Sequence, residues 1–248
     1  MITGKIPHII HYCWFGGKPL PKSAIKCINS WKKYFPGWEI KRWDENNFDI
    51  NAIAYTKEAA ECGKWAFVSD YARFWILYHH GGIYFDTDVE VIRSMDDIIK
   101  EGAFMGFEKS HANIGVNSGL GIGSPRKMAI YNAILNHYAK IHFLNISGKQ
   151  IPGTVVKHVT DVLMDKGLKL ENVTQQLCGI TIYPNDYFNP LDDATGKLNI
   201  TSNTRSIHHY AKTWCDNYGS VRTYIMRLLH RLFGVNTFSK IKNFLKIQ

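Results

Sequence analysis

Trp65-Ala66-Phe67-Val68-Ser69-Asp70-Tyr71-Ala72-Arg73-Phe74-Trp75-Ile76-Leu77-Tyr78-His79-His80-Gly81-Gly82-Ile83-Tyr84-Phe85-Asp86-Thr87-Asp88-Val89 is the stretch that decides the fold. From Trp65 to Tyr78 it is apolar nearly all round, which marks a buried helix. The exceptions are Ser69, Asp70 and Arg73, and the last two are three residues apart and share one helix face. Gly81-Gly82 ends the helix by C-cap chemistry. Ile83 to Val89 then reads as a buried strand closing on Asp86 and Asp88, or alternatively as a strand that ends in a solvated Asp-rich turn. On an extended backbone, residues i and i+2 point to the same side, so the two carboxylates converge. Two such charges repel unless a cation sits between them. Mg²⁺ or Mn²⁺ takes carboxylate oxygens together with phosphate oxygens, so the pattern points to metal-assisted handling of a phosphorylated ligand.

Outward from this stretch the chain alternates strand and helix. Ile6 to Trp14 reads as a first strand, Ser23 to Tyr34 as a helix, Trp38 to Trp43 as a second strand, and Glu58 to His79 as one long helical region. This β-α-β order predicts an α/β fold with a doubly wound parallel sheet, whose ligands lie beyond the carboxyl ends of the strands. Asp86 and Asp88 sit at such an end, and so do Trp14 and Phe15. The second half is less regular. Phe104 to Glu108, Leu120 to Gly123, Gly179 to Tyr183 and Ser206 to Tyr210 read as strands; Lys127 to His142 and Thr154 to Lys166 read as helices.

The 248 residues suffice for one large domain, and 45% hydrophobic with 21% charged residues is ordinary for a soluble globular protein. Five cysteines, an odd number with no Cys-x-x-Cys spacing, argue against a disulfide framework or a structural zinc. No secretory segment or membrane-spanning run is evident, so the expected location is the cytoplasm. The net charge of +9 invites a nucleic-acid reading. Residues 220–248, however, hold Arg222, Arg227, Arg231, Lys240, Lys242 and Lys246 and no acid. Without those six of the 30 Lys and Arg, 24 remain against 21 Asp and Glu. The body is near neutral, and a nucleic-acid-binding face is not indicated. The chain divides accordingly into a domain over 1–219 and a basic amphipathic tail over 220–248.

Ser69-Asp70-x-x-Arg73-x-x-x-Leu77-Tyr78-x-x-Gly81-Gly82-Ile83-Tyr84-x-Asp86-x-Asp88 resembles the signature of glycosyltransferase family 32. That family includes capsular-polysaccharide sugar transferases, yeast-type mannosyltransferases and relatives of the glucosylating toxins. Ile6-Pro7-His8-Ile9-Ile10-His11-Tyr12-Cys13-Trp14-Phe15-Gly16-Gly17 is similar to its first strand, and His208-His209-Tyr210-Ala211-x-x-Trp214 to its C-terminal motif. The resemblance implies a GT-A-type, Rossmann-like domain that moves a hexose from a nucleotide sugar, with retention of configuration, to a growing surface glycan or lipid-linked glycan. A UDP-hexose is implied ahead of GDP-mannose, and Mn²⁺ or Mg²⁺ as cofactor.

Carried over residue by residue, Asp88 is the first metal ligand, Asp86 shares the metal and the donor, and His209 is preferred over His208 as third ligand. Adjacent histidines on a strand point opposite ways, so only one can serve. Asp70 and Arg73 would meet the donor sugar, or alternatively form a buried ion pair that only pins the helix. Trp14 would stack on the nucleobase, or alternatively pack in the core. Cys13, Phe15, Ser69 and Thr87 complete the donor side, with Lys212 and Trp214 as a flap over the diphosphate. Asn117 and Ser118 are candidates for the acceptor side. Pro152-Gly153 stands where the family usually has Gly-Pro. The basic tail would dock on an anionic membrane surface or pack on the body. A donor-binding scaffold protein without turnover is the alternative to an enzyme.

Overall fold

A computed structural model describes residues 4–110, 113–211, 227–231 and 234. The first strand, β1 (Ile9–Cys13), leads through α1 (Lys22–Tyr34) to β2 (Glu39–Trp43), and the two strands pair in parallel with Ile9 opposite Glu39. Two helices follow, α2 (Ala54–Glu61) and α3 (Trp65–His80), and then β3 (Gly82–Tyr84), which pairs in parallel with the other edge of β1. The helical region expected over 58–79 thus falls in two helices. Gly63, at φ +66°, turns the chain between them in a left-handed conformation that glycine adopts without strain.

β4 (Val89–Val91), α4 (Asp96–Glu101), β5 (Phe104–Ser110), β6 (Asn113–Val116) and β7 (Ile122–Ser124) come next. α5 (Ala129–Tyr138), α6 (Val155–Met164), β8 (Gln175–Leu177), β9 (Ile180–Tyr183), α7 (Asn185–Phe188) and β10 (Ser206–His208) complete the described elements. The main sheet has eight strands in the order β2-β1-β3-β7-β5-β9-β8, with β6 on β5. Only β2-β1-β3 and β5-β9 run parallel; β7 is antiparallel to both neighbours. The expectation of a doubly wound parallel sheet therefore holds for the first half alone. A parallel crossover needs about a dozen residues or more. The hairpin from β5 through β6 and the short link to β7 leave no room for one.

Alternation along the strands sorts side chains into two cores. Ile10, Tyr12, Ile83 and Phe85 pack with Trp31 of α1, whereas Cys13 and Tyr84 pack with Phe74, Ile76 and Leu77 of α3 and with α5 and α6. Each wholly buried side chain such as Phe74 or Ile76 contributes about 2 kcal/mol of apolar burial. Helices thus cover both faces, and α3 is pressed between the sheet and α5. Thr154 caps α6, its hydroxyl accepting from Lys157 N–H at 3.3 Å.

One departure shapes the site. The expected strand through Asp88 stops at Tyr84, and Asp86 and Asp88 lie in a turn closed by Val89 N–H donating to Asp86 O at 3.0 Å. They converge by that turn, not by strand alternation. β4 then leaves the main sheet and pairs antiparallel with β10, His208 opposite Val89.

The basic tail is described only in part. Over 227–231 it is helical, and Arg227, His230 and Arg231 face the carbonyl oxygens of Asp193, Ala194, Thr195 and Gly196. Among the described residues, this part of the tail packs on the body. Arg222, Lys240, Lys242 and Lys246 lie outside the described residues.

Candidate active site

The carboxyl end of β3 and the middle of α3 meet at one guanidinium. Arg73 is buried, and its Nε donates to the Ser69 carbonyl one helical turn back at 3.0 Å. Its Nη1 donates to Ser118 Oγ at 3.2 Å, and its Nη2 lies 2.9 Å from Asp70 Oδ1 and 3.3 Å from Asp86 Oδ1. Tyr84, two residues before Asp86 and on the same face, donates its hydroxyl to Asp86 Oδ1 at 2.9 Å. An arginine serving two carboxylates fixes both in orientation, because its fork is planar and rigid. One positive charge does not neutralise two negative ones, however, the buried Asp70 and the partly exposed Asp86. Burial pushes the Asp70 carboxyl up to about 7 against the pull of Arg73, and Asp86 adds to the rise.

Asp88 is held from the other side. His208 Nε2 lies 3.1 Å from its Oδ1, and Ala211 N–H donates to its Oδ2 at 2.8 Å. Burial works to raise this carboxyl, but the charge and hydrogen bond of His208 outweigh it and hold Asp88 at about 2. For His208, burial works downward, and the charge and hydrogen bond of Asp88 lift the imidazole to about 9. His208 Nδ1 is buried and has no hydrogen-bond partner among the described residues.

Ligand atoms of Asp86, Asp88 and His208 all lie within 4.8 Å of one another. Two carboxylates and an imidazole form a donor set that suits a divalent cation, and the imidazole suits Mn²⁺ better than Mg²⁺. An ion bound there would take the place of the proton on His208, because the imidazole must be neutral to ligate.

The preference for His209 is corrected. The two histidines do diverge as strand neighbours, but it is His208 that faces Asp88, while His209 Nε2 sits 2.8 Å from Glu90 Oε2. The register of β10 on β4 sets this choice, and no single-strand reading contains it.

Ser118 is corrected too. It is wholly buried, and its hydroxyl serves Arg73, so it does not face an acceptor. Asn117 is also buried, with its Oδ1 accepting from Gly119 N–H at 2.7 Å and its amide donating to Glu108. Gly119 supports Asp86 from behind: its carbonyl accepts from Asp86 N–H at 3.3 Å, and a Cβ at this position would overlap Asp86 Oδ2.

Of the remaining expected donor-side residues, Cys13 and Phe15 are taken up by the core, Phe15 packing on Phe48 and Trp65. Cys13 lies beneath the charged cluster, and burial pushes its thiol up, which keeps it inert. Ser69 turns its hydroxyl back to the Ala66 carbonyl at 2.7 Å, so its contribution to Arg73 is its own carbonyl. Trp14 is half-buried, its indole N–H donating to the Lys18 carbonyl at 2.6 Å, and Thr87 is half-exposed in the turn. Lys212 and Trp214 lie outside the described residues. Sequence reasoning missed Tyr84, Glu108 and Gly119. The parity of Tyr84 with Asp86 was a usable signal; nothing local singled out the other two.

Residues 21–105 match the sequence model of a family described as "Glycosyltransferase sugar-binding region containing DXD motif", and Asp86-Thr87-Asp88 is the Asp-x-Asp within that span.

Among particular relatives, the chain is 28% identical over 143 residues to inositol phosphoceramide mannosyltransferase 1 of Schizosaccharomyces pombe, covering 53% of this chain and 43% of that protein. It is 31% identical over 109 residues to uncharacterized glycosyltransferase L373 of Acanthamoeba polyphaga mimivirus, covering 40% of this chain and 42% of that protein. The chain thus spans less than half the length of these curated relatives. A solved structure, PaToxG glycosyltransferase, superimposes with a TM-score of 0.48 at 18% identity, covering 66% of this chain and 72% of that one.

Proposed function

We propose that this chain is a divalent-metal-dependent glycosyltransferase that moves a hexose from a nucleotide-sugar donor to a hydroxyl of a glycan or glycolipid, with retention of configuration. The observation that carries the reading is Arg73 joined to both Asp70 and Asp86, one turn of chain away from Asp88 and His208. A sugar-binding pair and a metal-binding group are then parts of a single charged cluster. The match of residues 21–105 to a DXD sugar-binding family supports the same reading.

In this proposal Asp86, Asp88 and His208 hold Mn²⁺ or Mg²⁺. Bound there, the ion would act as a Lewis acid toward the diphosphate oxygens. Asp70 accepts hydrogen bonds from donor hydroxyls, and Arg73 draws that carboxyl toward its ionised form and orients it. Trp14, half-buried at the end of β1, offers a flat face for the base. The acceptor oxygen bonds to the anomeric carbon on the face from which the nucleoside diphosphate departs, and the leaving phosphate takes the proton.

UDP-hexoses are the first donors to test. The mannosyltransferase names of the fission-yeast relatives favour GDP-mannose as the second. A lipid-linked acceptor would suit a protein working at the inner face of a membrane, where the Lys-rich end of the tail would meet anionic lipid. The deciding experiment is metal-dependent hydrolysis of UDP-glucose, UDP-galactose, UDP-N-acetylhexosamines and GDP-mannose. The reading stands if one donor is turned over with Mn²⁺ and not with EDTA. It fails if none is bound or cleaved, and binding without cleavage would make the chain a donor-binding scaffold.

A further inference from the structure

The cluster contains a fourth carboxylate that neither the metal group nor the arginine accounts for. Glu108 stands on β5 opposite Gly115 of β6, in the half of the sheet away from β1 and Trp14. Its Oε2 accepts from the Asn117 amide, and Oε1 has no partner among the described residues. The other three carboxylates differ from it: Asp70 and Asp86 have Arg73, and Asp88 has His208. Among the described residues Glu108 has no such cation; a neutral amide orients it.

Two further observations place this carboxylate at the cluster. The Tyr210 ring packs edge-on against the His208 ring, beside Asp88, at a centroid distance of 4.3 Å. The Asn117 that holds it also holds Gly119, which supports Asp86. Residue 109, next in the chain, donates its N–H to Asn189 Oδ1 at 3.3 Å, and the Asn189 amide in turn reaches Tyr210. Glu108 is thus fixed from both sides. A partly exposed carboxylate with a rigid mount and a vacant oxygen is a hydrogen-bond acceptor waiting for a donor.

We propose that Glu108 is the acceptor-binding carboxylate, its free oxygen receiving the hydrogen bond of the incoming hydroxyl and aiming that oxygen at the anomeric carbon. The inference rests on the glycosyl-transfer reading above and names a residue that reading does not use. The bonds made and broken are unchanged: the hydroxyl oxygen joins the anomeric carbon, the carbon–phosphate oxygen bond breaks, and the proton leaves with the phosphate. Glu108 supplies orientation, and its negative charge selects neutral hydroxyl nucleophiles over anionic ones.

The test uses two small nucleophiles, water and azide, with the full chain, Mn²⁺ and the donor that wild type hydrolyses. In E108Q the amide keeps the size of the side chain and its carbonyl can still face Asn117. The expected result is hydrolysis slowed by about tenfold or more, Mn²⁺ affinity and donor KM unchanged, and partition toward the glycosyl azide raised by about tenfold. E108D keeps the charge and is expected to keep the wild-type azide partition while losing rate. If E108Q slows water and azide alike, or weakens Mn²⁺ binding in step with the rate, Glu108 acts only through Asn117 and Asp86 and the proposal is overturned. Wild-type rates in E108Q overturn it as well. A wild-type protein that cleaves no donor is a different result: it removes the glycosyl-transfer reading itself, before Glu108 is reached.

Discussion

Arg73 lies 3.3 Å from Asp86 across a gap that separates a helix from a turn, while the same nitrogen holds Asp70 at 2.9 Å within its own helix. A single side chain therefore sets the distance between the Asp70 and Asp86 carboxylates. Removing it should cost both structure and function. Arg73→Met leaves two carboxylates without their cation, and breaking a buried pair in this way costs about 3–5 kcal/mol. Urea unfolding should show that loss, and the donor-hydrolysis assay should show no turnover. Arg73→Lys is not a conservative exchange here, because an ammonium cannot span both carboxylates in the fork geometry.

Asp88→Asn should leave the fold intact and abolish Mn²⁺ binding. The Asn amide can still accept from Ala211 N–H, which keeps the turn closed. Electron paramagnetic resonance of Mn²⁺ reports the binding directly, and hydrolysis should fall by about a hundredfold or more. Retained binding and rate would remove Asp88 from the metal group.

Gly119→Ala separates position from charge. The added methyl overlaps Asp86 Oδ2 and approaches Asn117 Oδ1, so the carboxylate must move while every charged group is retained. The expected outcome is a loss of Mn²⁺ affinity of about tenfold to a hundredfold, the range for disturbed supporting contacts around a metal. Thermal unfolding should change little by comparison. Unaltered affinity would show that the Asp86 position is not critical.

Acid stability should be governed in part by His11. It is wholly buried in β1, with its Nε2 donating to the Gly81 carbonyl at 2.9 Å and its Nδ1 accepting from the Trp43 indole at 3.0 Å. These partners fix the neutral form, and burial lowers the imidazole from 6.5 to about 4. The folded value lies below the unfolded one, so stability is full above about pH 6.5. It is lost as pH falls through the window between the two values, because the unfolded chain takes up the proton first. The loss amounts to at most about 3 kcal/mol by pH 4. Denaturant unfolding from pH 7 to 4 should show this slope, and His11→Gln should flatten it. An unchanged slope would assign acid sensitivity to other groups.

How much of this was legible in the sequence depends on the range of the interactions. The α3 stretch and its glycine stop were readable because their signals are local: apolar on all faces, then Gly81-Gly82. Asp70 and Arg73 stood out as charges in an apolar helix, and the structure brings them together. The break at Gly63 was missed because an isolated glycine between two helical patterns looks like a tolerated one. The turn at Asp86 stood only as an alternative, because the apolar Ile83-Tyr84-Phe85 run with Val89 beyond it reads as one strand. The choice between His208 and His209 depends on the register between β10 and β4, and pairing at that distance leaves no mark in either segment alone. Glu108 and Gly119 matter only through Asn117, a relation that exists once the hairpin has closed.

The small ladder of β4 and β10 also bears on when the site comes into being. Asp88 receives the Ala211 N–H from 123 residues further along the chain, and His208 arrives at the end of β10, three residues before it. During synthesis the sheet half around β1, β2 and β3 can settle early, from contacts close in sequence. The group of Asp86, Asp88 and His208 cannot, because His208 has not yet been made. A nascent chain would therefore hold a finished arginine cluster beside an open-sided Asp-x-Asp, and the complete group would form abruptly with the last strand.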